Sequence, residues 1–179
     1  NYRRVLFQRN SLLKRGRVST EEMFPWNLRL SELGAVMSRA RAELCEKLSK
    51  ELEQLYKTLS TSDETVTITY KPQFPVDKYE TTLMHHLEKS LDHEMMRGFT
   101  AYGPHREDFI TMFSGRLAKE LASRGETRTV VLALKIIELQ LIEGVSGARP
   151  ILLFDDVFSE LDGARRRALT KHLQTHQSF

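Results

Sequence analysis

The sequence is short of several residues whose scarcity excludes whole classes of protein. It has one cysteine, Cys45, and one tryptophan, Trp26, in 179 residues. A single thiol rules out an internal disulfide and points to a reducing compartment. Cys45 follows Leu44 in a helical pattern, so it reads as a packed or half-exposed thiol. The longest apolar runs, such as 130–134, fall far short of a bilayer's thickness, and no signal-peptide pattern opens the chain. None of the nine glycines is followed by lysine. A Gly-x-x-x-x-Gly-Lys-Ser/Thr loop, the cradle for nucleotide β- and γ-phosphates, is therefore absent from this sequence. His85, His86 and His93 lie on one helical stretch without a convincing set of metal partners, so they read as surface histidines. The first residue is Asn1 and the opening pattern is already helical, so we expect a piece of a longer protein.

What is present begins with charge. The net charge of +3 conceals an asymmetry: residues 1–60 carry twelve Lys and Arg against seven Asp and Glu. The excess is concentrated in Arg3, Arg4, Arg9, Lys14, Arg15 and Arg17, a stretch without one acid. Such a cluster fits either nucleic-acid phosphates or a solvated helix face. A helix is predicted over 2–14. Glu21 to Trp26 reads as a short junction with two aromatics, followed by a long helix over about 28–59. That helix has a heptad-like seam of Leu30, Leu33, Met37, Ala40, Leu44, Leu48, Leu52, Leu55 and Leu59. Strict alternation over 65–70 predicts a half-buried strand. Asp77 is a candidate N-cap for a helix running to about Met95, which Gly98 ends. Residues 109–113 read as a strand closed by a hairpin turn at Ser114-Gly115-Arg116.

Two stretches carry chemistry. Ser123-Arg124-Gly125-Glu126-Thr127-Arg128 precedes an apolar-rich helix over 129–143. Small residues there leave backbone N–H groups and the positive end of the helix dipole facing outward, which makes an anion site or simply a capped helix start. Then comes Pro150-Ile151-Leu152-Leu153-Phe154-Asp155-Asp156. A continuous apolar run of this kind predicts a strand buried on both faces, as in a parallel sheet. Ligands of such sheets bind beyond the strands' carboxyl ends, where Asp155 and Asp156 stand. Paired carboxylates there suit magnesium carried with a nucleotide phosphate, or a solvated acidic turn. A basic helix through Arg165, Arg166 and Arg167 follows, with Leu169 and Leu173 inward.

The order of these pieces resembles the second half of an ABC-type ATPase head of the SMC and repair class. Ser123-x-Gly125 resembles its signature motif, the apolar Asp155-Asp156 strand its Walker B, and Ser159-x-x-Asp162 its D-loop. With residues 2–14, Gly103-Pro-His-Arg-Glu-Asp108 and Ser123 to Thr129, nearly the whole chain resembles the bacterial RecF family of recombination mediators. The resemblance implies an α/β fold: a partial ABC-type, P-loop NTPase-like head with a large helical lobe. Residues 1–100 would form the lobe, and residues 101–179 the signature, Walker B and D-loop part of the head.

It further implies that Asp155 holds magnesium through water and that Asp156 activates the attacking water. Ser123, Gly125, Glu126 and Arg128 would form the signature element that meets ATP held by a second protomer, with Ser159 and Asp162 at the dimer seam. Arg3, Arg4, Arg9, Lys14 and Arg15 become the candidate DNA contacts. The intact protein would be a slow ATPase of DNA replication, repair and the SOS response in the bacterial cytoplasm, at the nucleoid. It would use ATP and Mg2+, form an ATP-dependent homodimer, bind single-stranded or gapped DNA, and load RecA with RecO and RecR, without a membrane. This chain alone would bind no cofactor and lack turnover. The alternative is a non-enzymatic helical interaction module. A stand-alone metal phosphohydrolase is disfavoured, because no third ligand cluster accompanies the aspartates.

Overall fold

The computed structural model describes residues 1–60, 64–153, 163–174 and 176–177. The helices are α1 (Tyr2–Leu13), α2 (Thr20–Leu59), α3 (Tyr79–Lys89), α4 (Leu91–Arg97), α5 (Ala118–Leu121), α6 (Arg124–Ser146) and α7 (Gly163–Leu173). Three strands, β1 (Val66–Lys71), β2 (Asp108–Phe113) and β3 (Arg116–Leu117), form one sheet in the order β1-β2-β3.

The long helix starts eight residues before the predicted one. Ser19 and Glu22 form a reciprocal cap: the Glu22 amide donates to Ser19 Oγ at 3.2 Å, and the Ser19 amide donates to Glu22 Oε2 at 3.0 Å. That cap turns the expected junction into helix despite Pro25 within it. The heptad-like seam is buried only at its two ends. Leu30 joins one core and Leu52, Leu55 and Leu59 another, while Ala40 and Leu44 between them are exposed.

The residues accordingly gather into two compact units, Asn1–Leu44 with Tyr70–Phe109 and Cys45–Thr69 with Ile110–Phe179. This differs from a division after residue 100, because α2, β1 and β2 each supply residues to both. The first unit has a core of Tyr2, Leu30, Ala35, Phe74, Tyr79, Leu83 and Leu87, with a satellite of Leu13, Met23 and Leu91. Gly34 permits the close packing here: a Cβ on it would stand 3.0 Å from Leu83 Cδ2. The predicted helix over 77–95 breaks at Ser90 into α3 and α4, and Asp77 lies in a 3-10 turn, Val76–Lys78, rather than capping.

In the second unit α6 buries Val130, Ala133, Ile136 and Ile137 with Leu55, Tyr56, Val66, Ile68 and Phe113. Tyr56 meets Phe113 edge to face at 5.6 Å. The β2–β3 hairpin pairs Met112 with Leu117 and Phe113 with Arg116. Its turn residues Ser114 and Gly115 both have positive φ, 44° and 80°, as a tight two-residue hairpin requires. Leu169 and Leu173 of α7 face inward as expected.

The run before the aspartates departs from its expectation. Leu152 makes one bridge, its amide donating to the Gln177 carbonyl at 2.9 Å. Ile151 is 62% exposed and Leu153 81%. Among the described residues this stretch is therefore not a doubly buried strand. Leu152 packs against the core of the second unit, while Ile151 and Leu153 stand on the uncovered side.

Candidate functional site

The signature-like stretch forms the start of α6, and its geometry follows from its sequence. Ser123 is the N-cap. Its Oγ accepts from the Glu126 amide at 3.2 Å, while Glu126 Oε2 accepts from the Ser123 amide at 2.7 Å. This capping box was not singled out in the sequence, although Ser-x-x-Glu before an apolar helix is its signal. Thr127 Oγ1 donates to the Ser123 carbonyl, and Thr129 Oγ1 to that of Gly125. The buried stripe of α6 anchors the helix in its core and leaves Ser123 and Arg128 exposed and Gly125 and Glu126 half-buried. The Ser123 hydroxyl accepts in the cap and keeps its own proton to donate. With the positive helix end behind it, this arrangement suits a phosphate oxygen. The structure places Ser123, Gly125, Glu126 and Arg128 within the N-cap and first two turns of α6.

Asp155, Asp156, Ser159 and Asp162 lie outside the described residues. Among the described residues no group of three or more His, Cys, Asp and Glu could hold a metal ion. His85 and His93 are exposed, and His86 stacks on Phe74 at 4.7 Å.

The basic helix α1 has two faces. Arg3, Arg4, Lys14 and Arg15 are exposed, as a surface for phosphates needs. Arg9 is not available for such a role: it is wholly buried. Its Nε donates to Asn27 Oδ1 at 2.8 Å, Nη1 to Thr100 Oγ1 at 2.7 Å and Nη2 to Glu94 Oε2 at 2.7 Å. Burial pulls the Arg9 pKa down and the Glu94 charge pulls it back up. The physical reason for this correction is helical phase. Arg9 shares a stripe with buried Tyr2 and Leu13, at spacings of seven and four.

Residues 103–107, dense in polar groups, are a structural knot within the first unit. Tyr2 Oη lies 2.8 Å from His105 Nδ1, and His105 Nε2 lies 3.1 Å from the Thr100 carbonyl. Glu107 accepts from the Tyr70 and Tyr79 hydroxyls and from the Gln73 amide. Arg41 donates to the Pro104 carbonyl. Burial lowers the His105 pKa. Burial, then the bond to Glu107, raises those of Tyr70 and Tyr79.

This arrangement has counterparts in known structures. The recombination mediator RecF with ATP in the RecFOR pathway matches at TM-score 0.83 and 34% identity, over 99% of this chain and 50% of that one. The RecF–ATPrS structure matches at TM-score 0.83 and 33% identity. The fold class is thus that of part of an ABC-type ATPase head, an α/β fold with a large helical lobe. Among curated proteins, the DNA replication and repair protein RecF of Alkaliphilus oremlandii is 33% identical over 184 residues, 99% of this chain and 50% of its own. That of Acaryochloris marina is 36% identical over 186 residues, 97% of this chain and 50% of its own. No protein-family model matches the sequence. The chain belongs to the RecF family. It spans about half the length of the curated relatives it matches.

Proposed function

We propose that this chain is part of a RecF-like protein of DNA replication and recombinational repair. The observation that carries the reading is the capped, outward-facing start of α6 in a chain 34% identical to an ATP-bound recombination mediator. In the intact protein Ser123, Gly125, Glu126 and Arg128 meet ATP held by a second protomer, so that ATP joins two copies. Asp155 holds magnesium through water, and Asp156 orients the attacking water. Ser159 and Asp162 lie at the dimer seam. ATP with Mg2+ supplies the phosphoryl group and most of the charge neutralisation that such transfer needs. The protein's own groups position and hydrogen-bond. The exposed bases of α1 meet DNA, and RecO and RecR partners act with it in loading RecA at gaps in the bacterial cytoplasm. Among the described residues no helix is long and apolar enough to cross a membrane.

This chain by itself carries no Gly-x-x-x-x-Gly-Lys-Ser/Thr, so it turns over no ATP. The test joins it to the half of the relatives' length that it does not span. ATP-dependent dimerisation that Gly125→Asp abolishes supports the reading. Dimerisation indifferent to ATP and to Gly125→Asp favours a helical interaction module. ATP turnover by the purified monomeric chain, lost in Asp155→Asn, would overturn the claim of inactivity.

A further inference from the structure

The outer face of α1 holds a residue that its charge does not explain. Phe7 is 72% exposed. At 100° per residue it lies opposite the buried stripe of Tyr2, Arg9 and Leu13, with Arg3, Arg4 and Lys14 within about 60° of it. Arg3 and Arg4 stand one helical turn before it, Ser11 one turn after it, and Lys14 two turns after it. Lys14, Arg15 and Arg17 are exposed beyond the helix. Lys14 also lies against Gly98, whose Cβ would be 3.3 Å from Lys14 Cγ, which places exposed Arg97 next to the same end of the helix. No acid occurs in α1 or before Glu21. The face is therefore a basic track about 16 Å long with one bare aromatic ring in it.

A solvated helix face explains the arginines but not the ring, which no aromatic or cation–π contact engages among the described residues. Duplex DNA would use the charges and leave the ring idle, because its base faces are stacked inside. A single strand offers both a phosphate backbone and open base faces, and basic grooves with aromatic platforms are how such strands are held. A membrane surface fits less well. Interfacial helices present a broad apolar face, and here the apolar side of α1 is turned into the protein.

We propose that Phe7 is a base-stacking platform for single-stranded nucleic acid whose phosphates are met by Arg3, Arg4, Lys14 and Arg15. This rests on the reading of α1 as a nucleic-acid surface. It adds the residue that would distinguish single strands from duplex.

The experiment measures binding of fluorescent oligothymidylate and of a duplex of equal length by anisotropy. Because Phe7 is exposed, its replacement leaves the core intact. Phe7→Ala is expected to weaken oligothymidylate binding about tenfold and to leave duplex binding unchanged. Phe7→Trp should retain the affinity, and its added fluorescence should be quenched by the oligonucleotide. Arg3→Glu with Arg4→Glu should weaken both ligands. If that double variant weakens both but Phe7→Ala changes neither, or changes both alike, the stacking role fails while the nucleic-acid surface stands. If the unaltered chain binds neither ligand, the surface reading itself fails. Phe7-dependent binding to anionic phosphatidylglycerol vesicles without oligonucleotide binding would assign the face to membranes instead.

Discussion

The Arg9 guanidinium and the Glu94 carboxylate meet at 2.7 Å, with both side chains wholly excluded from solvent. They lie 85 residues apart in sequence. Glu94 Oε1 also accepts from the Ala101 amide at 2.6 Å, and Thr100 Oγ1, which accepts from Arg9, donates to Asn10 Oδ1 at 2.7 Å. Each charge is thereby paired and hydrogen-bonded, the condition under which burying it is tolerable.

Breaking this pair from one side leaves an uncompensated buried charge. Glu94→Gln or Arg9→Met should each lower unfolding stability by about 3–5 kcal/mol. Arg9→Lys should recover only part of the loss, since an ammonium does not reproduce the planar fork that reaches Asn27, Thr100 and Glu94. Urea unfolding followed by circular dichroism measures this. A loss below about 1 kcal/mol for both single variants would show that the pair is not anchoring the unit.

Gly103 has φ of +123°, and a Cβ there would lie 2.6 Å from Tyr2 Oη. Gly103→Ala is therefore both strained and crowded, and should cost about 2–3 kcal/mol. Tyr2→Phe removes the hydroxyl that the Cβ would strike. In the Gly103→Ala background it should restore part of the stability, so the two changes should be non-additive. Strict additivity in thermal melts would argue against the clash.

The pH dependence of stability should have two flanks. Burial holds the His105 pKa below its ordinary value near 6.5. The unfolded chain then binds the proton first, so stability falls as pH drops from about 6.5 toward the folded value. His105→Gln should flatten that flank. On the alkaline side Tyr2, Tyr70 and Tyr79 are all held above the tyrosine range, chiefly by burial. Stability should be full below about pH 10 and decline above it. Tyr2, Tyr70 and Tyr79 should ionise late in a spectrophotometric titration. If these three ionise near pH 10 without unfolding, the burial argument is wrong.

Ser123 caps α6, so Ser123→Ala should cost about 1 kcal/mol through loss of the N-cap bond. Ser123→Asp preserves an acceptor for the Glu126 amide and should keep most of the stability. It also sets a negative charge where a phosphate is proposed to dock. In the full-length protein, Ser123→Asp should fold normally yet lose ATP-dependent dimerisation. Retained dimerisation would remove Ser123 from the nucleotide contacts.

Much of the fold was legible along the chain because local rules decide it. The alternation of Val66, Ile68 and Tyr70 marks a strand with one buried face. Gly98 stops α4 in the left-handed conformation, φ 72°, and Gly147 stops α6 in the same way, φ 66°. The hairpin was legible in Ser114-Gly115-Arg116, although Arg116 pairs with Phe113 and leaves Ser114 and Gly115 as the turn. The start of α2 was not read, because Pro25 masked a capping box that begins six residues ahead of it.

The site divides in the same way. The sequence by itself singled out the signature-like stretch, since Ser123, Gly125, Glu126 and Arg128 lie within six consecutive residues whatever surrounds them. It also carried the family, because the quoted motifs occur in order along nearly the whole chain. Only the tertiary structure decided which arginine of α1 is inside. Arg9 and Arg4 have the same chemistry and neighbouring positions. Burial depends on whether partners from Asn27, Glu94 and Thr100 arrive from distant sequence. Tertiary structure likewise turned Gly103 to Glu107 from an unexplained polar stretch into a knot of hydrogen bonds. It left Ile151 and Leu153 exposed where an apolar run predicts burial. Hydrophobicity states that a face needs covering, and only the folded neighbours determine whether it is covered.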